Sequence, residues 1–500
     1  MLCSVSPMPA RPFARFAAPP RGAAGAAVAV ALLVATAAPA AAQAIPPRLE
    51  ADRIDITGRQ NLTLGSGARA YGMGGAFLAR ADDATAASWN PAGLSYLRLP
   101  EVSLVGAFNS FDVTRGLDSD HFKGNAIDFA AFTWPVGLGD LRGAVQLSYQ
   151  RAISFDGSRH IQQYTAGGQL LQFEDGSSDG GFDVVAFGTG LRLSRHVRAG
   201  FTLNRWTNGY TQTLSRTIVA DTQRPLRQFD LDFRPRGWNA NLGLIVSPIE
   251  SLNVAAVFKT PFTAGVTLDK ARRDSWGTID TLEAVTKNAA RSDDVRLEFP
   301  SSLGFGVSWR LRNTLTISAD YTRTGWSKAT IFDYFELPAT GRTPAGGPPA
   351  TPPPPVVYPA LEYPTLRPVP DPANPDDPAL LSSQQNAEQI RVGVEWVVIK
   401  GPLKVPLRAG YFNDRQIIPN PGGKTPHFNG FTAGTGLILG SMLLDVAYVY
   451  EFGDYLVAAD AATGGDFDQP PTPMPPVRNT LSTHRIFASI IYRFSGHGQP

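Results

Sequence analysis

The 500-residue sequence contains one cysteine, Cys3, and it lies ahead of an apolar segment near the N-terminus. A disulfide needs two cysteines, so none is expected in the body of the chain. The sequence also lacks a Cys/His cluster or a His-x-x-x-His pair of the kind that binds metal ions. These absences predict a protein without a metal or other cofactor.

Long apolar runs and an excess of charge are missing as well. Beyond residue 42 no continuous apolar run approaches the length of about 20 residues that a helical membrane span needs. Charged residues make up 18% of the chain and the formal net charge is +2. A nucleic-acid partner is not expected, because binding nucleic acid needs a clustered basic surface.

Residues 1–42 are predicted to be an export signal that is cleaved after Ala42 or Ala44. An arginine-containing segment precedes an alanine-rich apolar run over Ala23–Ala38, and small residues follow it. This order of basic segment, apolar run and small residues is typical of a secretory signal. The apolar run is too short to cross a membrane comfortably.

Residues 99–494 predict fourteen amphipathic strands whose connections alternate between short and long. The short connections are Pro135–Asp140, Ser194–His196, Ser247–Ser251, Arg312–Asn313, Lys400–Lys404 and Gly440–Ser441. The long connections are Asn109–Asn125, Asp156–Gly181, Gln212–Arg234, Thr263–Asp293, Ala329–Ala387, Asp414–Pro426 and Val457–Thr480. An even number of antiparallel strands, with tight turns at one end, is typical of a bacterial outer-membrane β-barrel.

The strands alternate apolar and mixed residues, and the apolar faces are expected to meet lipid. A soluble β-sandwich also alternates, but the export signal and the asymmetry of the connections favour a barrel. Aromatic residues near the strand ends fit the interfacial girdles of such barrels. These aromatic residues are Trp134, Trp309, Trp326, Trp396, Tyr450 and Tyr492.

The long connections are predicted to lie outside the cell and the tight turns in the periplasm. The longest connection, residues 329–387, holds fifteen prolines and should be an extended or disordered external loop. It is either a tolerated insertion or a proline-rich recognition motif, and the shorter run Pro470–Pro476 has the same two interpretations. Residues 495–500 form a C-terminal tail.

Residues 43–98 precede the first strand and contain the most distinctive motifs. Gly65–Phe77 is rich in glycine and alanine, and Ala81–Leu94 includes Trp89-Asn90-Pro91-Ala92. Asp82 or Asp83 is expected to cap a short helix over Ala84–Trp89, which Pro91 ends. The segment is too small to bury its own core, so the barrel lumen is its expected container. A phosphate-binding loop is disfavoured because the Lys-Ser/Thr of that motif is absent.

The motifs resemble the FadL family of outer-membrane transporters, also described as OmpP1/TodX-like. The likeness begins with the N-terminal segment and its Asn90-Pro91-Ala92, and it covers essentially the whole predicted mature chain. Further matching segments are Trp238–Gly243, the hairpin around Ser247-Pro248, Phe258–Phe262 and Pro300–Val307.

The resemblance implies passive uptake of hydrophobic compounds, either long-chain fatty acids or aromatic hydrocarbons. It also implies that the N-terminal segment is a hatch inside the lumen, and that cargo leaves sideways through an opening at a kinked third strand. Gly143 is either that kink or a plain packing glycine. The candidate gating residues are Gly74, Gly75, Phe77, Asn90, Pro91 and Ala92.

A fatty-acid carboxylate would need a lumenal cation, because charge-assisted hydrogen bonds to carboxylates are strong. Strand alternation directs five candidates inward: Lys259, Arg310, Arg391, Arg408 and Arg485. Pairing with acids on the same face is the alternative role for these cations. The acids concerned are Glu395, Asp320, Asp445 and Glu451.

Two other classes of function are weighed against transport. A hydrolase would need a nucleophile beside a base, and the pair Ser482 and His484 is predicted to face lipid. A related barrel that acts as a secretion-system shuttle or a surface-attachment protein is the stronger alternative. The partners expected are a hydrophobic ligand, outer-membrane lipid and the barrel-assembly machinery.

Overall fold

The computed structural model describes most of residues 65–494. The described ranges are 65–115, 118–138, 141–164, 170–219, 226–278, 281–328, 331–333, 361–363, 385–401, 403–417, 420, 424–461 and 472–494. The predicted signal peptide, the first part of the predicted hatch, most of the proline-rich loop and the C-terminal tail lie outside these ranges.

Three short helical elements precede the strands: α1 (Ala68–Gly72), α2 (Ala86–Trp89) and a 3₁₀ helix (Pro91–Tyr96). Another 3₁₀ turn, Trp326–Lys328, follows β13. The strands are β1 Glu101–Arg115, β2 Asp118–Leu138, β3 Leu141–Ser154, β4 Gly157–Tyr164, β5 Leu170–Arg192, β6 Val197–Thr207, β7 Tyr210–Ile218, β8 Leu226–Ile249, β9 Leu252–Lys259, β10 Phe262–Thr278, β11 Thr281–Phe299, β12 Ser302–Arg312, β13 Leu315–Thr324, β14 Ile331–Asp333, β15 Leu361–Tyr363, β16 Ala387–Lys400, β17 Leu403–Arg415, β18 His427–Leu439, β19 Met442–Ala461 and β20 Thr472–Arg493. Within the described part of the chain, no helix has the length and apolar character needed to cross a membrane.

Fourteen of the strands close into an antiparallel barrel, which confirms the predicted fourteen-stranded barrel. Their order around the wall is β1, β2, β3, β5, β6, β8, β9, β12, β13, β16, β17, β18, β19 and β20, and β20 pairs again with β1. The closing pair runs from Glu101 opposite Arg493 to Arg115 opposite Asn479. All the short turns lie at one end of the barrel, as the alternation of the connections predicts.

The two faces of the wall differ as the strand alternation predicts. On β20, Ile486 and Ile490 are 47% and 39% exposed, whereas Phe487 and Ile491 between and beside them are buried. The same pattern of exposed apolar and buried mixed residues recurs on β13, β16 and β19. Exposed large apolar side chains around the outside make the wall suited to a lipid environment.

The expected aromatic girdle is present at the short-turn end, with one correction. Trp134, Trp309, Trp396 and Tyr492 are exposed on the outer face near their turns. Trp326 was predicted to belong to the girdle, and that prediction is wrong. It lies in the 3₁₀ turn after β13, where the chain leaves the wall, and its side chain is buried.

Several long connections were predicted to be loops, and that prediction is wrong. They continue as strands beyond the barrel. β4, β5, β7, β8, β10, β11, β14 and β15 form a second antiparallel sheet, and β5 and β8 run from the barrel into it. The segments predicted as loops over Asp156–Gly181, Gln212–Arg234 and Thr263–Asp293 are therefore largely hairpins. Pairing of this kind satisfies backbone N–H and C=O groups that an irregular loop would leave to water.

Candidate functional site

The structure places Gly65–Leu97, which we call the plug segment, inside the barrel. None of its residues is exposed. α1 contacts β17 to β20, and the 3₁₀ helix contacts β3, β5, β6 and β8 on the opposite side. The backbone N–H of Leu78 donates to Asp320 Oδ2 of β13 at 2.8 Å. The plug segment therefore touches the inner wall on most sides.

Glycines on both partners let the plug segment approach the wall closely. Gly74 and Gly75 have φ of 68° and 74°, a conformation that favours glycine. The N–H of Gly74 donates to Thr432 Oγ1 at 2.9 Å. On the wall, a Cβ at Gly393 or Gly410 would lie 2.2 Å from the plug backbone. Of the predicted gating glycines, Gly74 thus lies against the wall backbone, and Gly75 lies against the side chains of Arg391 and Trp89.

Asn90 connects the plug segment to the wall and orders the turn that follows α2. Its Nδ2 donates to the carbonyl of Leu78 at 2.9 Å and to that of Leu244 in β8 at 3.3 Å. Its Oδ1 accepts from Ala92 N at 3.1 Å, which caps the 3₁₀ helix that begins at Pro91. The helix ends before the proline, as predicted, because Asn90 is extended at φ −146°.

The start of α2 differs from the expectation. The helix begins at Ala86, and its N-cap residue Thr85 makes no capping bond with its side chain. Asp83 instead accepts from the N–H and the hydroxyl of Thr85, which orders the turn before the helix. Asp82 does not cap the helix either, because its carboxylate binds Arg69 at 2.7 Å.

Aromatic packing holds the plug segment from within. Phe77 and Trp89 pack edge to face with ring centroids 6.1 Å apart, and both are buried. Tyr71 stacks on Phe487 of the wall at 4.0 Å and 10°. The indole of Trp89 donates to the carbonyl of Ser66 at 2.7 Å. Phe77, predicted as a gating residue, is thus part of the plug core.

A buried charge cluster, which the sequence reasoning did not find as a unit, joins plug and wall. Arg69 binds Glu395 of β16 through two bonds of 2.9 Å and 3.0 Å. Arg408 of β17 binds the same carboxylate at 2.8 Å and Asp445 of β19 at 2.6 Å. Arg80 approaches Glu395 at 3.3 Å. The carboxylate of Glu395 in the wall therefore forms ion pairs with two cations of the plug segment.

The two plug arginines have opposite pKa shifts. Burial disfavours the charged form of Arg69, but the charge and hydrogen bonds of Glu395 outweigh burial and raise its pKa. Burial lowers the pKa of Arg80 to about 10, and the charge of Arg69 contributes to the same shift. Arg69 is consequently the better matched of the two to its carboxylate.

The five predicted lumen cations separate into two groups. Arg391 binds Asp414 through bonds of 3.0 Å and 2.9 Å, and Arg485 binds Glu451 at 2.5 Å. With Arg408, three of the five candidates are engaged by acids, which is the alternative role that the sequence left open. Arg310 is exposed near the short-turn end, and Lys259 lines a pocket between plug and wall.

That pocket is small. Its cavity volume is about 20 Å³, which suits a water molecule rather than an organic ligand. Plug and wall residues both line it: Gly75, Leu78, Trp89, Val257, Lys259, Ser302, Gly304, Asp320, Thr322, Gln389 and Arg391.

Beyond the plug segment, toward the end with the long connections, buried apolar residues pack into a cluster that we call the aromatic chamber. Its members come from widely separated strands and turns: Ile153, Phe155, Phe182, Val184, Ala186, Trp206, Tyr210, Phe233, Ala264, Val266, Leu297, Phe299, Trp326, Ala387 and Ile417. Phe155 stacks on Tyr210 at 4.1 Å, and Phe262 stacks on Phe299 at 4.6 Å. The sequence signal for it was weak, because each strand contributes only one to three residues.

The remaining candidate residues are Gly143 and the pair Ser482 and His484. β3 pairs continuously through Gly143, where a Cβ would lie 2.0 Å from Gly190 O, and its register shift falls instead between Arg151 and Ile153. Gly143 is therefore a close-approach glycine. His484 lies 2.6 Å from the exposed hydroxyl of Tyr448 and 3.4 Å from Ser482. The described residues include no group of three or more potential ligands that could hold a metal ion.

Solved structures with this fold include three bacterial proteins. The toluene transporter TbuX of Ralstonia pickettii has a TM-score of 0.52 and 14% identity, and the match covers 87% of this chain and 99% of that one. A FadL homologue of Pseudomonas aeruginosa has a TM-score of 0.56 and 12% identity, covering 86% and 99%. The toluene transporter TodX of Pseudomonas putida has a TM-score of 0.53 and 13% identity, covering 86% and 98%.

Identities this low establish a shared fold, and the predicted resemblance to FadL-type barrels is confirmed at that level. No curated protein matches the chain. A family model described as BamG matches residues 62–336, which include the whole plug segment and the wall from β1 through β13.

Proposed function

This chain belongs to the BamG family, and we propose that it is an outer-membrane channel for passive uptake of hydrophobic compounds. The cargo classes are those that the resemblance to FadL transporters implies, long-chain fatty acids or aromatic hydrocarbons. The similar structures support this class, since they include toluene transporters, a monoaromatic hydrocarbon channel and a FadL homologue.

The observation that carries the proposal is the aromatic chamber. Barrels that pass polar solutes have polar interiors. Here a buried cluster of aromatic and aliphatic residues packs at the long-connection end, where the barrel wall continues into the second sheet. Apolar ligands bind in desolvated sites lined by such side chains, with few polar groups among them. An apolar compound that enters from outside would meet this chamber before it meets the plug segment.

In this proposal the plug segment is the gate. Its buried contacts fill the lumen, and the pocket beside it has room only for a water-sized molecule. Passage of a larger compound therefore requires the plug to shift. Gly74, Gly75, Asn90 and Pro91 are the proposed gating positions, because they contact the wall: Gly75 meets the side chain of Arg391 and the others meet wall backbone. Phe77 and Ala92 move with the plug core.

The charged residues bear on the choice between the two cargo classes. A fatty-acid carboxylate would require a cation that can leave its present partner, and Arg391, Arg408 and Arg485 are held by acids. Lys259 lines the pocket beside the plug, which has room only for a water-sized molecule while the plug is in place. An aromatic hydrocarbon would need no such cation.

The test is uptake of labelled toluene and labelled oleate by cells that lack their own channels. Cells expressing the wild-type chain are compared with cells expressing an Asn90→Ala/Pro91→Ala variant. The proposal expects uptake of at least one compound and its loss in the variant. Absence of uptake of both compounds, with the barrel folded in the outer membrane by heat-modifiability gels, would exclude transport of these classes.

A matched pair of variants tests the chamber separately. Phe182 and Phe187 lie on β5, the first buried in the chamber and the second 52% exposed on the outer face. Phe182→Gln places a polar amide in the apolar route and should reduce uptake strongly. Phe187→Gln has the same chemistry on the lipid side and should leave uptake near the wild-type rate.

A protein-binding role is the second candidate, and the family match favours it. An association with barrel assembly would belong to this class of function, and the matching family model is described as BamG. A secretion-system shuttle or surface-attachment role belongs to the same class. Co-purification distinguishes the two candidates, because a channel should carry lipid or hydrocarbon and a partner-binding barrel a defined protein.

A further inference from the structure

The short-turn end of the barrel has an unbalanced charge. Six cations lie at inward-facing positions of the strand ends that are next to the short turns. They are Arg142, Arg192, Arg198, Arg310, Lys404 and Arg493. At the corresponding positions of the described strands and turns the carboxylates are Glu101, which is buried and bound to Arg493 at 2.7 Å, and Glu250, which is exposed in the turn after β8. We call these six residues the basic mouth.

Strand alternation assigns these cations to the opening of the lumen rather than to the outer surface. Trp309 and Leu311 flank Arg310 and are 51% and 41% exposed on the lipid side, while Ser308, two positions away from Arg310, is buried inside. Tyr492, beside Arg493, is exposed in the same way. Large apolar residues also occupy the outward positions of other turns, including Leu193 and Ile249.

One cation shows the inward direction directly. The guanidinium of Arg198 lies 4.2 Å from the ring centroid of Tyr96 at the end of the plug segment, and it donates to Ser247 Oγ at 3.1 Å. Arg310 also acts on the plug, because its charge contributes to the lowered pKa of Arg80. The basic mouth therefore lies around the base of the plug segment.

We propose that the basic mouth is a docking site for an acidic segment of a periplasmic protein. Short turns of outer-membrane barrels face the periplasm, and a ring of one charge around a low-dielectric opening attracts a ligand of the opposite charge. The cations lie on the lumen side of each strand, so their charge surrounds the mouth and not the lipid contact. This arrangement fits an acidic segment that enters the mouth better than headgroups that surround the wall.

The partner would act on the plug as well as on the wall. Arg198 and Arg310 are the members of the basic mouth that interact with plug residues. An acidic segment bound there would neutralise charge at the base of the plug. The proposal concerns this surface alone and does not depend on which cargo the barrel carries.

Binding is tested on the full-length folded protein in nanodiscs of phosphatidylcholine, which carries no net charge. The probe is a fluorescein-labelled decaglutamate peptide, followed by fluorescence anisotropy at about 50 mM salt, where charges are weakly screened. The test variant is Arg142→Glu/Arg310→Glu/Lys404→Glu, three exposed members of the basic mouth. Heat-modifiability gels establish that each variant is folded.

The matched control reverses three exposed arginines at the other end, Arg234→Glu/Arg323→Glu/Arg478→Glu, and changes the net charge equally. We expect saturable binding, weakened about tenfold or more in the mouth variant and less than about twofold in the control. Absence of binding, or equal loss in both variants, would overturn the proposal. Displacement of the peptide when phosphatidylglycerol replaces phosphatidylcholine would also overturn it, in favour of lipid headgroups.

Discussion

Two buried regions of the molecule are held together by different forces. Around the plug segment the contacts are directional, because Arg69, Asn90 and Leu78 bind named atoms of the wall. In the aromatic chamber the contacts are rings and aliphatic groups packed together. Hydrogen bonds and ion pairs require one arrangement and are lost when that arrangement changes, whereas apolar side chains can repack around an apolar ligand. The difference fits a defined gate below an adaptable binding region.

The largest effect should come from the carboxylate shared by plug and wall. Glu395→Gln leaves Arg69, Arg80 and Arg408 without their common negative partner. Removing one member of a buried ion pair costs about 3–5 kcal/mol. We expect a folded barrel whose plug is released, measured as trypsin cleavage after Arg69 or Arg80.

Glu388→Gln is the control for that change, since Glu388 lies on the same strand and its pairs with Arg323 and Arg415 are partly exposed. It should leave trypsin sensitivity unchanged. Equal resistance of both variants to trypsin would show that the charge cluster does not hold the plug.

A smaller effect is expected where plug backbone meets plug backbone. A Cβ at Gly93 would lie 1.7 Å from Ala81 O, so Gly93→Ala forces the plug to deform. Such overpacking costs about 1–3 kcal/mol, and the unfolding midpoint in urea should fall. Gly106→Ala on β1 places its methyl in open space and should not shift the midpoint downward.

In the chamber, a change of apolar shape should be tolerated better. Phe182→Leu keeps the site apolar and should cost less than about 1.5 kcal/mol by urea unfolding. A loss as large as that of Glu395→Gln would contradict the distinction between a rigid gate region and an adaptable chamber.

The smallest effect should come from one neutral hydrogen bond of the plug. Tyr71→Phe keeps the stack on Phe487 and removes the bond from the hydroxyl to Gly65 O at 2.9 Å. We expect a loss of about 1 kcal/mol in the same unfolding measurement. Tyr71→Ala also removes the stack and should cost clearly more.

The wall could be predicted from the sequence, because the side chains of each strand alternate between two faces and turn-forming residues mark the ends of the strands. Exposed Ile486 beside buried Phe487 follows from alternation alone. Trp326 was misplaced, because alternation says nothing of a residue that has just left the sheet. The second sheet was missed because long connections were read as loops, although β7 contains alternating Thr, Leu and Ile.

The candidate site was predicted less completely. Backbone motifs such as Gly74-Gly75 and Asn90-Pro91 are local and can be recognised in the sequence. The partner of Arg69 lies 326 residues away in the chain, and its identity depends on the closed barrel. The alternation of side chains along the strand directs Glu395 inward. It does not determine which of several inward-facing acidic residues pairs with a given plug cation.

The central claim is that cargo passes only when the plug moves, and a tether tests it most directly. A Cβ at Gly188 would lie 3.5 Å from Ala87 Cβ, a separation that a disulfide can span. The variant is Ala87→Cys/Gly188→Cys, with Cys3→Ser to leave no other thiol. We predict that oxidation stops uptake of whichever compound the wild-type chain carries and that reduction restores it. Equal uptake by the oxidised and reduced forms would contradict the account.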